Sequence, residues 1–270
     1  MSVKFGLIGG GVMGEALLSR LINQNIYKSS EIIVSEPSSV RREFLASKYS
    51  VEVVGGNTEV FITSGEVVFL AVKPQVFTSV TQEISSVISQ SHFPLIVSIL
   101  AGVTLGQLEA AFVGLPVVRA MPNTPATVGA GITAICAGKD TQANHLEKAR
   151  QLFSAVGEVV EVSESLMDAV TGLSGSGPAY VALMVEALAD GGVASGLPRP
   201  VAQQLALQTV LGTATLLHES KIHPAELKDR VTSPGGTTIA GIAELEKAAF
   251  RSALIQAVKA ATNRSQELGK

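Results

Sequence analysis

Val3-Lys-Phe-Gly-Leu-Ile8 runs directly into Gly9-Gly-Gly11-Val-Met-Gly14, and this junction decides the fold of the first half of the chain. The first six residues read as a β-strand. From Val12 to Gln24 the apolar residues recur at helical spacing. Gly9, Gly11 and Gly14 between them fit G-x-G-x-x-G. In a strand–turn–helix setting the first glycine permits the tight turn and the second lets the backbone approach a pyrophosphate. The third lets the helix lie close to the strand. Gly10, Val12 and Met13 complete the loop. The motif alone is weak, and its meaning comes from what surrounds it.

Further along, short β-branched runs alternate with helical patterns. Candidate strands are Val3–Ile8, Glu31–Ser35, Val67–Ala71, Leu95–Ile99, Val117–Ala120 and Thr133–Ala137, with helices such as Val12–Gln24 and Val40–Lys48 between them. Nearly continuous apolar strands separated by helices predict a parallel, doubly wound α/β sheet. From about Ser163 the strand patterns stop. Helical patterns follow over Gly177–Ser195, Arg199–Glu219, Pro224–Arg230, Thr237–Lys247 and Phe250–Leu268, with Pro178 and Pro224 at first-turn positions. We therefore expect a dinucleotide-binding domain over 1–163 and an all-α domain over 164–270. The Gly177–Ser195 helix is apolar on nearly every side and needs cover all round. A domain of this size barely supplies it, so a helical dimer interface is expected.

Composition sets the bounds. The chain has 270 residues, 46% of them hydrophobic but only 4% aromatic, so Val, Ile, Leu and Ala build the core. A net charge of -3 argues against a nucleic-acid or polybasic membrane surface. The N-terminus lacks the pattern of a secretory signal, and the apolar stretch 178–193 is interrupted by Glu186 and Asp190, so no membrane span is expected. Cys136 is the only cysteine, which excludes an intrachain disulfide and fits a reducing, cytoplasmic setting. It reads as a buried strand residue. His92, His145, His218 and His223 fall outside any catalytic-looking pattern and read as surface or helix-cap residues. No spacing suggests a metal site.

The cofactor type is written near the end of the second strand. Glu36 lies where an acidic residue would bind ribose hydroxyls, as in NAD enzymes. Ser35 before it, Pro37 after it and the pair Arg41-Arg42 suit a 2′-phosphate instead. The sequence leaves NAD and NADP open and leans to NADP. Two further loops belong at carboxyl ends of strands: Ala71-Val72-Lys73-Pro74, and Ala120-Met121-Pro122-Asn123-Thr124-Pro125. Lys73 could equally be a surface charge, and Asn123 could cap its own turn.

A second glycine-punctuated element, Val231-Thr-Ser-Pro-Gly-Gly-Thr-Thr-Ile-Ala-Gly241, leads into the helical pattern from Thr237. Ser233, Thr237 and Thr238 can cap that helix, and Gly235 and Gly236 leave its N–H groups uncovered. Such a terminus attracts a small anion. An ordinary N-cap preceded by a turn is the alternative.

Together these pieces resemble the pyrroline-5-carboxylate reductase family. The resemblance is carried by Ile8-Gly-Gly-Gly-Val-Met-Gly14, Ala71-Val-Lys-Pro74, Ser98-Ile-Leu-Ala-Gly-Val-Thr104, Arg119-Ala-Met-Pro-Asn-Thr-Pro-Ala126, Gly172-Leu-Ser-Gly-Ser-Gly-Pro-Ala-Tyr180, His223-Pro-Ala-Glu-Leu-Lys-Asp229 and Ser233-Pro-Gly-Gly-Thr-Thr-Ile239. It implies a Rossmann-like domain followed by a helical domain that dimerises, often within rings of dimers. It implies NAD(P)H-dependent reduction of 1-pyrroline-5-carboxylate to L-proline, the last step of proline biosynthesis. It also implies that Gly9 to Met13, Asn57, Ala71 to Pro74 and Ala101-Gly102 line the cofactor. Ser233 and Gly235, Gly236, Thr237 and Thr238 would hold the substrate, with Thr238 orienting its ring nitrogen. The rival reading as a 3-hydroxyacid dehydrogenase needs a lysine base in the helical domain. Only Lys259-Ala-Ala-Thr-Asn263 has the spacing, in the last helix. A nucleotide sensor would leave the 233–238 turn unexplained. Reduction of a six-membered cyclic imine stays open.

Overall fold

The computed structural model describes residues 2–88 and 94–269. Eight strands form one sheet: β1 (Phe5–Ile8), β2 (Ile32–Ser35), β3 (Glu52–Val54), β4 (Val67–Leu70), β5 (Leu95–Ser98), β6 (Val117–Met121), β7 (Gly131–Ala137) and β8 (Gly157–Glu161). Their order is β3-β2-β1-β4-β5-β6-β7-β8. Every residue of β1, β2, β4 and β5 is buried, which is why these strands read as unbroken apolar runs. The pleat sends alternate side chains to opposite faces. Phe5 and Leu7 join one core, with Phe69 and Phe153, while Ile8 joins the other, with Ile33 and Leu70.

The helices α1 (Val12–Asn23), α2 (Ser39–Tyr49), α3 (Asn57–Thr63), α4 (Phe77–Ile84), α5 (Leu105–Ala111) and α6 (Ala143–Ser154) connect the strands. β1 pairs with β2 on one side and with β4 on the other, both parallel. The strand order reverses there. Sheets of this kind bind ligands outside the carboxyl ends of such a strand pair.

Two features depart from the sequence reading. First, the sheet is not wholly parallel, because β7 runs antiparallel to β6 and parallel to β8. The connection over 122–130 holds only a short 3-10 turn, too little chain for a crossover back to the same end. Second, β3 and β8 were not expected. β3 is three residues long. Both end the sheet, and Glu52, Glu158 and Glu161 are exposed there. Charge on an edge strand dilutes the apolar pattern and opposes pairing with another chain.

The remaining helices are α7 (Met167–Val170), α8 (Gly177–Ala194), α9 (Arg199–Ser220), α10 (Pro224–Arg230), α11 (Thr237–Lys247) and α12 (Phe250–Leu268), with a π turn over Thr171–Gly175. Contacts divide the chain into Met1–Gly175 with Ala261–Lys270, and Ser176–Ala260. This division falls later than residue 163, because Met167 and Val170 still pack into a core of the first unit. The end of α12 is tied to the same unit by Ser265 Oγ, which donates to Asp168 Oδ1 at 2.6 Å.

Within the second unit α8 packs on α9 through small residues, Ala189 against Ala202 and Ala206. Val185 and Val193 of α8 pack against them, but other apolar groups stay open: Leu183 is 66% exposed and Leu188 50%. A groove of about 720 Å³ is lined by Val181, Val185 and Leu207 of these two helices. Apolar surface of this extent calls for a partner. Size-exclusion chromatography with light scattering at micromolar concentration is expected to give at least twice the 27.9 kDa chain mass. A monomer would refute the expectation.

Candidate active site

The loop after β1 is shaped by two close approaches. Gly9 has φ +105°, and a Cβ on it would lie 2.7 Å from the Ala71 carbonyl oxygen. A Cβ on Gly14 would overlap the Gly9 carbonyl oxygen. Only glycine allows this turn and this approach of α1 to it. Gly11 is the N-cap of α1 and brings no side chain to the helix start. The N–H groups of Val12, Met13 and Gly14 find no acceptor among the described residues. By contrast, Ser38 caps α2 and Thr104 caps α5. Free donors and the helix dipole together suit the start of α1 to an anion, and the space around Gly11 suits a ligand backbone. A dinucleotide pyrophosphate fits this chemistry.

Charge around that terminus is managed locally. Glu15, in the first turn of α1, pairs with Arg41 and with Lys48 at 3.0 Å, and accepts from Tyr49 Oη at 2.7 Å. Burial would push its carboxyl up. Hydrogen bonds from Tyr49, Arg41 and Lys48, with the Arg41 charge, outweigh that and hold it at about 2. Arg41 also donates through Nε to the Gly10 carbonyl at 2.8 Å. It braces the glycine loop and is not part of a merely solvated helix face.

Glu36 turns inward. Its Oε2 accepts from Gly10 N at 3.1 Å and its Oε1 from Ser38 N at 3.0 Å. Arg42 donates to the Glu36 and Pro37 carbonyls at 3.0 and 2.8 Å, and has no carboxylate partner among the described residues. Ser35 is 2% exposed and gives its hydroxyl proton to Asn57 Oδ1 at 2.7 Å.

The other expected loops lie at the same carboxyl edge of the parallel strands. Ala71, Val72, Lys73 and Pro74 follow β4, with exposed Lys73 capping the 3-10 turn Pro74–Val76. Ala101 and Gly102 follow β5. Met121 ends β6. Asn123 precedes the 3-10 turn without a side-chain cap bond to it, and its Oδ1 accepts from Ile132 N on β7 at 3.0 Å. Sequence reasoning missed the Glu15 cluster and the ion pair of buried Arg119 with half-buried Glu164 at 2.9 Å. Glu15 had one local signal, an acid in a helix first turn. Its partners in α2 and the 45-residue span from Arg119 to Glu164 had none.

The turn over 231–236 belongs to the second unit. Gly235 has φ +68°, and Gly236, the N-cap of α11, donates its N–H to the Ser233 carbonyl at 3.1 Å. No side chain caps α11, which corrects the expectation that Ser233, Thr237 or Thr238 would do so. With glycine as the cap, the N–H groups of Thr237, Thr238 and Ile239 have no acceptor among the described residues. The Thr238 hydroxyl likewise makes no hydrogen bond there. The structure thus forms an uncapped helix start in each unit.

Other reactive side chains have structural settings. His145 and His223 accept N–H bonds at the starts of α6 and α10, each through Nδ1 at 3.1 Å. His218 lies in the last turn of α9, and His92 lies outside the described residues. Cys136 is buried on β7, and burial pushes its thiol up to about 12. Among the described residues no cluster of His, Cys, Asp or Glu could hold a metal, and no helix is long and apolar enough to cross a membrane.

The Glu15 cluster generates a test. Its native carboxyl sits near 2 against an ordinary 4.5, so its stabilisation is full above about pH 4.5 and is lost as pH falls through 2. Glu15→Gln is expected to lower Tm by several degrees at pH 7. The gap from wild type should close as the pH approaches 2. A constant gap across that range would contradict the assignment.

Comparison with known proteins matches this arrangement over the whole chain. Residues 4–102 match the family model described as NADP oxidoreductase coenzyme F420-dependent, and residues 164–268 match pyrroline-5-carboxylate reductase dimerisation. A pyrroline-5-carboxylate reductase of Synechocystis sp. is 60% identical over 270 residues, covering 100% of both chains. The solved structure of a pyrroline-5-carboxylate reductase from Coxiella burnetii is similar with a TM-score of 0.92 and 36% identity, over 100% of both chains. That of Plasmodium falciparum pyrroline carboxylate reductase, with NADP bound, gives 0.88 and 33% over 99% of this chain and 98% of its own. With a dinucleotide-type glycine loop in one unit, an uncapped helix start in the other and this likeness along its full length, the chain belongs to the pyrroline-5-carboxylate reductase family.

Proposed function

We propose that this chain reduces 1-pyrroline-5-carboxylate to L-proline, the last step of proline biosynthesis, with a reduced nicotinamide dinucleotide as hydride source. The observation that carries this reading is an uncapped helix start directly after each of two glycine-rich turns, on α1 and on α11, in a chain of this family. When bound, the dinucleotide supplies a hydride to imine carbon C5 while the ring nitrogen gains a proton, which yields proline and the oxidised cofactor.

The protein's part is binding and orientation. Gly9, Gly10, Gly11, Val12, Met13 and Gly14 receive the pyrophosphate on the donors of α1. Ala71, Val72, Lys73, Pro74, Ala101, Gly102, Met121 and Asn123 line the same sheet edge beside it. Ser35 acts through Asn57. Ser233, Gly235, Gly236 and Thr237 hold the substrate carboxylate, for which N–H donors at a helix start need no bulky cation. The Thr238 hydroxyl bonds the ring nitrogen. An ordinary threonine hydroxyl is a poor acid, so Thr238 orients the imine and water or the already protonated imine supplies the proton.

NADPH is the preferred donor and NADH a slower one. Arg41 is neutralised by Glu15, while Arg42, beside the Glu36–Pro37 turn, has no carboxylate partner among the described residues and is suited to a 2′-phosphate. No metal takes part. The working assembly is a homodimer or a ring of dimers in the cytoplasm, without nucleic-acid or membrane partners.

Substrate-dependent loss of NADPH absorbance with formation of proline is the expected result. Turnover of a six-membered cyclic imine alone would overturn the substrate assignment. Thr238→Ala is expected to lower kcat/KM by roughly ten- to a hundredfold, the scale of one or two lost hydrogen bonds. An unchanged value would remove Thr238 from the mechanism. Arg42→Ala should raise KM for NADPH by about tenfold and leave KM for NADH in place. Equal effects on both would reject the arginine as the discriminating contact.

A further inference from the structure

Asn57 opens α3 with its amide held from two sides. Its Oδ1 accepts from Ser35 Oγ at 2.7 Å, and its Nδ2 donates to Glu83 Oε2 at 2.6 Å. Its backbone N–H donates to the other oxygen, Glu83 Oε1, at 2.7 Å. Both oxygens of one carboxylate are therefore spent on a single residue. Thr58 Oγ1 adds a bond to the Glu83 carbonyl at 3.2 Å, so the end of α4 is clipped to the start of α3.

The chemistry of the three groups leaves one arrangement. An ionised carboxylate only accepts, so the amide atom facing Glu83 has to be nitrogen. If the amide turned over, its oxygen would face the carboxylate with no proton between them. The amide oxygen must then face Ser35, which gives up its single hydroxyl proton to it. Ser35 is buried, Asn57 half-buried and Glu83 exposed, so this polarity is set by the protein's own groups before any ligand arrives. One Nδ2 hydrogen of Asn57 remains without an acceptor among the described residues.

We propose that Glu83 is a positioning residue for the dinucleotide: it fixes the Asn57 amide in the one orientation that presents an N–H donor, not a carbonyl, to the cofactor. The inference rests on the reading of Asn57 as a cofactor-lining residue. Glu83 does not touch the cofactor itself. Its removal frees the amide to rotate, and part of the binding energy is then spent on ordering it.

The test compares Glu83→Ala, Asn57→Ala and the double variant in steady-state kinetics with varied NADPH and saturating 1-pyrroline-5-carboxylate. Each single change is expected to raise KM for NADPH by about tenfold, with kcat within about twofold. The double variant should be no worse than Asn57→Ala, because Glu83 acts only through Asn57. Glu83→Gln, which keeps one acceptor oxygen, should fall between wild type and Glu83→Ala. A rise for Asn57→Ala with none for Glu83→Ala overturns the proposal, and so do independent, additive effects. No rise for either variant overturns it as well, while leaving the reaction intact. A merely structural Glu83 would lower Tm without moving KM. Titration of NADPH fluorescence with the same variants needs no turnover, so failure of the assigned reaction and failure of this inference are read separately.

Discussion

The first unit depends on one constraint: the start of α1 must lie against the end of β1 with its N–H groups left unpaired. Gly14 permits the approach and Gly9 permits the turn, while Gly11 withholds a capping side chain. Each substitution that would make an ordinary helix start, a Ser or Asp at the cap or a side chain at Gly14, would consume the donors or push the helix away. The parallel sheet around β1 exists in this context as the rigid base that holds the loops of β1, β2, β4 and β5 at one edge.

Such a terminus also needs its nearby charge controlled. A free carboxylate in the first turn of α1 would compete with an incoming phosphate. Arg41, Lys48 and Tyr49 hold Glu15 away from it, and Arg41 reaches on to the Gly10 carbonyl. Glu36 is likewise tied to backbone N–H groups and does not project freely. The second unit repeats the glycine-capped helix start at Gly236, with a carboxylate-sized set of donors on α11. On the proposed reading, one physical device, the uncapped helix, would serve a large anion in one unit and a small one in the other.

Much of the fold was legible in the residues. Buried strands such as β1 and β4 announce themselves because both faces are covered and no polar residue interrupts them. Helices α10, α11 and α12 follow the expected spans, and for α10 and α11 proline at the first turn and glycine before Thr237 mark the starts. Edge strands β3 and β8 were not legible, since exposed glutamates break their pattern. The reversal at β7 was hidden too, as it depends on how little chain the 122–130 connection offers. At the site, glycine spacing located both helix starts. The sequence could not show that α11 lacks a side-chain cap, that the Asn123 side chain bonds Ile132 N on β7, or that Glu15 and Glu83 reach residues far along the chain. Those facts arise from packing between elements, which has no local signature.

The central claim is that the open start of α1 is where the dinucleotide backbone lies, and Gly11→Ala tests it most directly. Gly11 has φ -71°, which alanine adopts freely, and among the described residues none but its chain neighbours lies within 4 Å of the added methyl. The account predicts an unchanged Tm together with NADPH affinity at least about tenfold weaker by calorimetric titration, since the methyl meets only the ligand. Unchanged affinity in a protein of unchanged Tm would contradict it.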